Sequence, residues 1–313
     1  MNERTHRPGL ATAIPIVGSL GPLGIVGAVL AATAPATIAW DAVGAVGGRW
    51  LFLIGLCLLV GASFVGTVIY PQPRSSLLRL SAIAWVAGGI GLMLVLLALI
   101  GTPLNVPLWR VAVLRTTPLV VAGVLIAVEW RAPRPSVRGM AAIGIAAAAA
   151  MLADVGTAHI AGLAEAGEAH PEHVETFVHW LHVLAVGTWV GGLAALLVSV
   201  GGLRREEVGP AVRRFSKSAG IGIGLVAVTG LMRAAQELGP LDNLLTTDFG
   251  RILMAKSFLL GVLAVLGAGQ RLFGVPAAAQ RLGLLRWIGR TELSVAAVVI
   301  LLAAALVNVP APA

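Results

Sequence analysis

Long, continuous apolar runs recur along the whole chain, and they constrain its fold more than any other feature. Each run reaches the roughly 20 residues that a helix needs to cross about 30 Å of hydrocarbon. Strands of a membrane barrel would instead appear as shorter segments of alternating polarity. The chain is 58% hydrophobic and 12% charged, with a mean hydropathy of +0.93. These features predict an all-α, polytopic transmembrane helical bundle.

Nine apolar runs qualify as membrane spans, or eight if the first is removed as a signal peptide. The basic start of the chain and the small residues at 32–34 fit a cleavage site. Pro35 directly after that site argues against cleavage, so we expect the first span to be retained. The spans are predicted at about 10–33, 50–70, 80–101, 111–129, 139–162, 174–200, 217–236, 250–270 and 291–309.

The order of the spans suggests a division of the chain into three parts. Residues 1–48 hold the first span and its outer loop, 49–138 form an N-terminal helical half, and 139–313 form a C-terminal helical region. Within the sixth span, Gly187 and Gly191 lie four residues apart. We interpret them as packing residues, because small side chains let helix backbones approach closely in lipid.

Arginine and lysine are concentrated in every second connection between the predicted spans. Cytoplasmic connections carry such an excess, so we predict an N-terminus in the cytoplasm and a C-terminus outside an inner (plasma) membrane. The net charge of +8 then needs no nucleic-acid partner, since the basic residues flank apolar runs. The residues concerned are Arg4, Arg7, Arg74, Arg79, Arg131, Arg134, Arg138, Arg204, Arg205, Arg213, Arg214, Lys217, Arg271, Arg281, Arg286 and Arg290.

Histidines are clustered at one place, around the outer ends of the fifth and sixth spans. His179 and His182 are three residues apart and share a helix face, and His159 ends the preceding span. The single cysteine excludes a thiolate metal cluster, whereas imidazole suits copper, zinc or iron. An acidic loop between the two spans would attract cations. Its candidate recruiting residues are His170, His173, Glu172 and Glu175.

Acidic residues inside spans are costly and are therefore functional candidates. Asp154 lies about 12 Å below the outer end of its helix, at ~1.5 Å per residue, and is a candidate relay or accessory ligand together with Met151. Glu129 and Glu292 are interpreted differently. They lie at inner helix ends beside Arg131 and Arg290, so pairing or snorkelling explains them.

Several stretches resemble the copper resistance protein D (CopD) family of inner-membrane copper transport proteins. The similarity is specific over about 150–310 and compatible over about 49–135. The stretches are the His182-to-Gly192 segment with Trp189-Val-Gly-Gly, Gly156-Thr-Ala-His159, Arg214-Phe-Ser-Lys217 with Thr229-Gly-Leu231, Phe249-Gly-Arg-Ile-Leu-Met-Ala-Lys256, Glu292 at the start of the last helix, and Asn308-Val-Pro310.

The resemblance implies copper ion transport and copper homeostasis, with copper (Cu+ or Cu2+) as the substrate. On this resemblance His159 and His182 are the metal ligands of an outward-facing site, and His179 is a further candidate. Met232, near the outer face, could add a thioether. The expected partners are the lipid bilayer, the copper ion and a periplasmic CopC-type copper-binding protein.

Two other functional classes remain open on the sequence. A haem-binding membrane electron carrier would use His159 and His179 or His182 as axial ligands from two helices. A copper-delivery scaffold for oxidase assembly would bind the metal without transporting it. The chain carries no nucleotide-binding loop, phosphorylatable aspartate motif or nucleophile motif. We therefore expect neither an enzyme nor catalytic or resident-cofactor residues.

Overall fold

A computed structural model describes residues 40–72, 75–160, 172–275, 281–307 and 309 of the chain. These residues form helices and their connections, with no β-strand among them. The helices are α1 (Trp40–Phe64), α2 (Ser75–Ala98), α3 (Leu108–Arg131), α4 (Val137–Ile160), α5 (Glu172–Val186), α6 (Gly192–Ser199), α7 (Arg205–Leu238), α8 (Asn243–Thr246), α9 (Asp248–Gly269) and α10 (Leu282–Leu306). Single π-helical turns follow α1, α5 and α9, at Val65–Ile69, Gly187–Gly191 and Gln270–Gly274.

The described helices confirm the predicted all-α membrane bundle. Eight helical segments are long and apolar enough to cross a membrane, and they correspond to the second through ninth predicted spans. The sixth of the predicted spans consists of α5, its π-helical turn and α6. The first predicted span, at 10–33, lies outside the described residues, and the three-part division of the chain stays a prediction.

Antiparallel succession of the helices brings the arginine-rich connections together at one end of the bundle. At this end, which we call the basic end, the Tyr70 hydroxyl after α1 donates to the Glu207 carboxylate at the start of α7, at 3.0 Å. The other end, called the opposite end, holds the start of α5 and the last turns of α4. The predicted orientation places the basic end in the cytoplasm and stays a prediction.

Helix α7 is longer than the span predicted at 217–236, because it begins at Arg205 in the basic connection. The Glu207 side chain accepts a hydrogen bond from the Arg204 backbone N–H at 2.9 Å, which satisfies a donor left free at the helix start. Glu206 and Glu207 also complement the positive end of the helix dipole. Polar residues assigned to a connection therefore belong to a helix that begins before the apolar segment.

Helix α1 lies at the centre of the bundle. Phe52, Leu56 and Leu59 are fully buried there. The helix approaches α2 at backbone distance, since a Cβ built on Gly55 would lie 2.6 Å from the Cα of Gly88. Lipid offers no hydrophobic force between helices, so such close packing is a main source of their association.

The π-helical turn after α5 makes a second close contact with α1. A Cβ on Gly191 would lie 1.8 Å from the Cys57 carbonyl oxygen, so no other residue fits this contact without moving a helix. A Cβ on Gly187 would lie 3.0 Å from the Met151 Cε. The packing role predicted for Gly187 and Gly191 is confirmed. The contact also fixes α5 in the bundle, and with it His182, which lies five residues before the turn.

Candidate metal site

His182 projects from α5 toward α7 and is held there by a specific partner. Its Nδ1 lies 2.8 Å from the Thr229 hydroxyl oxygen. Gly230, the next residue on α7, lies beside the imidazole, since a Cβ built on it would be 3.4 Å from the ring Cε1. The Thr229-Gly230 pair therefore combines a hydrogen-bond partner with room for the ring.

The hydrogen-bond network of Thr229 assigns the tautomer of His182. The Thr229 hydroxyl has one proton, which it donates to the Leu225 carbonyl oxygen one turn earlier. We therefore assign the hydroxyl oxygen as the acceptor from His182, with the imidazole proton on Nδ1. The lone pair of the neutral ring is then on Nε2, the nitrogen that a metal ion would bind. Metal-binding histidines are commonly oriented by such a bond from their other nitrogen.

His179 lies one turn nearer the opposite end on the same face of α5. The neighbouring Trp180 fixes this stretch of helix, because its indole N–H donates to the Ala148 carbonyl oxygen of α4 at 2.9 Å. His179 itself is partly buried. The two histidines thus occupy one face of a helix that is anchored to α4 on one side and to α7 on the other.

Two basic residues act on both imidazoles. Arg233 on α7 and Lys256 on α9 lie close enough for their charges to affect His179 and His182. Arg233 forms an ion pair with Glu237 one turn later on α7, which compensates part of its charge. Lys256 is therefore the one of these two cations for which no ion pair is seen among the described residues.

The structure describes the side chains of only some of the remaining candidate ligands. His159 lies in the last turn of α4, but its side chain is outside the described part of the structure. His170 is outside it altogether, as is the side chain of Glu172 at the start of α5. His173 is exposed and Glu175 is partly buried in the first turns of α5.

The two candidate methionines occupy contrasting places. Met151 is 1% exposed, and its Cε faces Gly187 in the π-helical turn after α5. Met232 is 43% exposed on the surface of α7.

Among the side chains that the structure describes, no group of three or more His, Cys, Asp or Glu could hold a metal ion. A site with three such ligands would thus need at least one side chain from outside this set, and His159 is the candidate on α4.

Asp154 is held by two arginines that sequence reasoning missed. Arg49 of α1 donates to both of its carboxylate oxygens, at 3.0 and 2.9 Å. Arg115 of α3 lies 3.4 Å from one oxygen and also donates to the Thr157 hydroxyl at 2.7 Å. Asp154 and Arg115 are 2% and 1% exposed. The cluster therefore joins α1, α3 and α4 through charges shielded from solvent.

Both arginines lie near the outer ends of predicted spans. Arg49 falls just before the span predicted at 50–70, and Arg115 falls in the first turns of the span predicted at 111–129. The available signal was Asp154 itself, because a buried carboxylate in a membrane needs a counter-ion. Few basic residues lie at that end of the bundle, so Arg49 and Arg115 could have been found as its partners.

Comparison with known proteins supports the resemblance seen in the sequence. Residues 209–306 match the family model for copper resistance protein D. The copper transport protein CutJ of Bacillus subtilis (strain 168) is 29% identical over 166 residues, which are 52% of this chain and 29% of CutJ. The chain thus spans less than a third of the length of that curated relative. No solved structure matches the chain.

The eight apolar helices define a multi-pass α-helical membrane protein. Within that class, residues 209–306 are similar to the copper resistance protein D family. The matched region runs from the first turns of α7 to the end of α10 and includes Thr229, Gly230 and Lys256. His182 lies before this region but is held by two of its residues.

Proposed function

We propose that the chain transports copper ions across the inner (plasma) membrane through a site at the opposite end of the bundle. The observation that carries this proposal is the position of His182, whose Nδ1 lies 2.8 Å from the Thr229 hydroxyl oxygen. The tautomer assigned from this contact leaves the lone pair on Nε2 for a metal ion. The family match and the name of the relative CutJ support copper as the substrate. The protein acts in this proposal as a transporter and not as an enzyme.

The ligand set of the proposed site consists of His182 and His159, with His179 as a further ligand. Lys256 favours Cu+ over Cu2+, because the repulsion from its charge doubles with the charge of the ion. Cu+ is also the softer ion and accepts imidazole and thioether ligands. The site therefore selects Cu+ from the two oxidation states.

Delivery of the ion would begin at the start of α5. His173 is exposed there and Glu175 is partly buried. Glu172 begins the helix, and His170 precedes it in the sequence. These residues form the recruitment segment of the proposal, and a periplasmic CopC-type protein is the proposed donor. Accessory roles for Asp154, Met151 and Met232 stay predictions, and the two arginines already engage the Asp154 carboxylate.

The proposal is tested by the variant His182→Ala, with His6→Ala as the matched control. His6 is the one histidine outside the cluster. We expect His182→Ala to lower the copper affinity of the purified protein by at least about 100-fold, since removal of a group that only orients a ligand already costs about 10–100-fold. It should also abolish copper accumulation in cells. His6→Ala should match the wild type in both measurements, at equal expression.

Each rival class has its own outcome in this experiment. A Soret band in the purified protein that disappears in His182→Ala would identify a haem carrier and contradict copper transport. Copper binding without any change in cellular accumulation on deletion would identify a delivery scaffold. Unchanged copper affinity in His182→Ala would remove the proposed site.

A further inference from the structure

A cavity of about 220 Å³ lies in the half of the bundle nearer the basic end. Its walls come from the π-helical turn after α5, from α6, α7 and α10, and from the end of α9 with the π-helical turn that follows it. Most of the lining is apolar, and the polar side chains in it are few. They are Ser216, Gln270, Arg271 and Glu292, together with the indole of Trp189.

Glu292 is buried in this cavity and does not pair with an arginine at the membrane surface, which corrects the interpretation from the sequence. It is 6% exposed and continues the buried face of α10 formed by Leu285, Gly289 and Ala296. Spacings of three and four residues put these positions on one side of the helix. The side chain thus points inward and cannot reach the basic end as Arg290 can.

The partner of Glu292 is a neutral amide. With the Gln270 amide assigned so that its nitrogen faces Glu292, its N–H groups donate to both carboxylate oxygens, at 3.2 and 3.3 Å. No lysine or arginine among the described residues forms an ion pair with it. A buried carboxyl group inside a membrane protein without a fixed counter-ion is expensive as a purely structural element and is typical of ion and proton pathways.

A continuous helix contact links this cavity to His182. On α5 and its π-helical turn, Trp189 follows His182 by seven residues, about 10 Å along a helix at ~1.5 Å per residue. On α7, Gly222 precedes Thr229 by the same interval. His182 contacts Thr229, and Trp189 contacts Gly222, where a built Cβ would lie 3.2 Å from the Trp189 Cβ. Trp189 also lines the cavity, so it separates His182 from Glu292.

The chemistry of the cavity distinguishes between its possible occupants. The described residues of its lining include no histidine, cysteine or methionine, so they offer none of the soft ligands that Cu+ prefers. Arg271, the other charged lining residue, would also repel a metal ion; its guanidinium lies beside Gly220 on α7. A single carboxyl group that faces a small cavity is suited to binding one proton, and α5–α6 and α7 add no titratable group to the lining.

We propose that Glu292 exchanges a proton with the basic end of the bundle and couples that proton to copper transport. This inference rests on the proposed function. The only bond that breaks and re-forms is the O–H bond of the Glu292 carboxyl group. The carboxyl group releases its proton to water in one direction as one Cu+ passes in the other. Water then returns a proton to the carboxylate. The exchange is electroneutral and requires no redox partner. It supplies an energy source for transport, namely the proton gradient.

The test uses the full-length protein in vesicles of phosphatidylethanolamine and phosphatidylglycerol that contain a pH-sensitive dye. Cu+ kept reduced with ascorbate is added, and copper uptake and internal pH are recorded with and without a pH gradient. For wild type we expect copper-driven proton movement and about a tenfold change in the final copper ratio per pH unit, as one-for-one exchange requires. Glu292→Gln should lose both effects and keep its copper affinity within about twofold.

Two further variants keep the result interpretable. Glu292→Asp retains a carboxyl group and should retain proton movement, which separates coupling from folding. Glu206→Gln makes the same change at a side chain 73% exposed at the basic end and should behave as wild type. Copper uptake by wild type without proton movement, or a normal pH response in Glu292→Gln, overturns the inference and leaves copper transport standing. No copper uptake by wild type contradicts the proposed function itself, and this inference with it.

Discussion

Two buried acidic residues occupy opposite halves of the bundle, and their surroundings differ in kind. Asp154 lies near the opposite end, where two guanidinium groups from α1 and α3 engage it. Glu292 lies toward the basic end, where one amide contacts it and a cavity adjoins it. The first carboxylate joins three helices through fixed charges. The second has room beside it and no fixed counter-ion among the described residues.

The difference teaches how to interpret an ionisable residue inside a membrane. Both residues meet the general expectation that a membrane carboxylate is functional, so the residue type alone does not separate them. The partners do, because a carboxylate held by two arginines cannot change its charge without leaving them uncompensated. A carboxyl group held by an amide can gain or lose a proton while it keeps at least one hydrogen bond to that amide. Their surroundings thus indicate a structural role for Asp154 and proton exchange for Glu292.

The largest expected effect comes from removing the charge of Asp154. Asp154→Asn keeps the size of the side chain and leaves two buried guanidinium groups without a counter-ion. We expect a loss of about 3–5 kcal/mol in the free energy of unfolding. The measurement is thermal unfolding of the purified protein in detergent, compared with Glu292→Gln. The matched variant should lose less than about 1 kcal/mol, since a glutamine can still accept a hydrogen bond from Gln270.

The same two variants can also contradict the distinction drawn between Asp154 and Glu292. Equal stability losses in Asp154→Asn and Glu292→Gln would mean that both carboxyl groups are structural. A wild-type stability for Asp154→Asn with reduced copper transport would instead favour the relay role that the sequence predicts for Asp154.

A smaller loss is expected when one arginine of the cluster is replaced. Arg115→Met retains the length and apolar character of the side chain and leaves the Arg49–Asp154 pair, which is neutral overall. The Thr157 hydroxyl still has the Ala153 carbonyl oxygen as its partner. We expect a loss of about 1–3 kcal/mol in the free energy of unfolding, from the hydrogen bonds and packing removed at a buried position. A loss as large as that of Asp154→Asn would show that both arginines are needed to hold the carboxylate.

Most of the fold could be predicted from the sequence, because the helices follow from apolar length and each described span has a predicted counterpart. Helix ends at the basic side were less predictable. The first turns of α7 are polar, so hydropathy does not detect them, and hydrogen bonds at the helix start decide where it begins. The glycine contacts were anticipated at Gly187 and Gly191, although the π-helical turn that contains Gly191 has no sequence signal of its own.

The candidate site was predictable only in part, because a single sequence indicates local helix geometry and not long-range contacts. Helix periodicity places His179 and His182 on one face, and this requires only local geometry. The pairing of Asp154 with Arg49 spans 105 residues, and the contact of Glu292 with Gln270 depends on how α10 is rotated. Position in the sequence put Glu292 beside Arg290, whereas the rotation of α10 put it in the interior. Such long-range contacts are set by packing, which a single sequence does not specify.

The smallest of these effects concerns the neutral hydrogen bond that orients His182. Thr229→Val keeps the shape of the side chain and removes the oxygen that accepts from Nδ1. The imidazole then has no fixed tautomer or orientation, and we expect copper affinity to fall about tenfold, as loss of an orienting partner typically does. Thr229→Ser keeps the hydroxyl and should bind copper as wild type does, in the same competition assay with a chelator. Equal copper affinities in Thr229→Val and Thr229→Ser would mean that contact with α7 alone positions the imidazole. His182 would then be held by packing, as Gly191 is. Asp154, in contrast, is held by specific bonds.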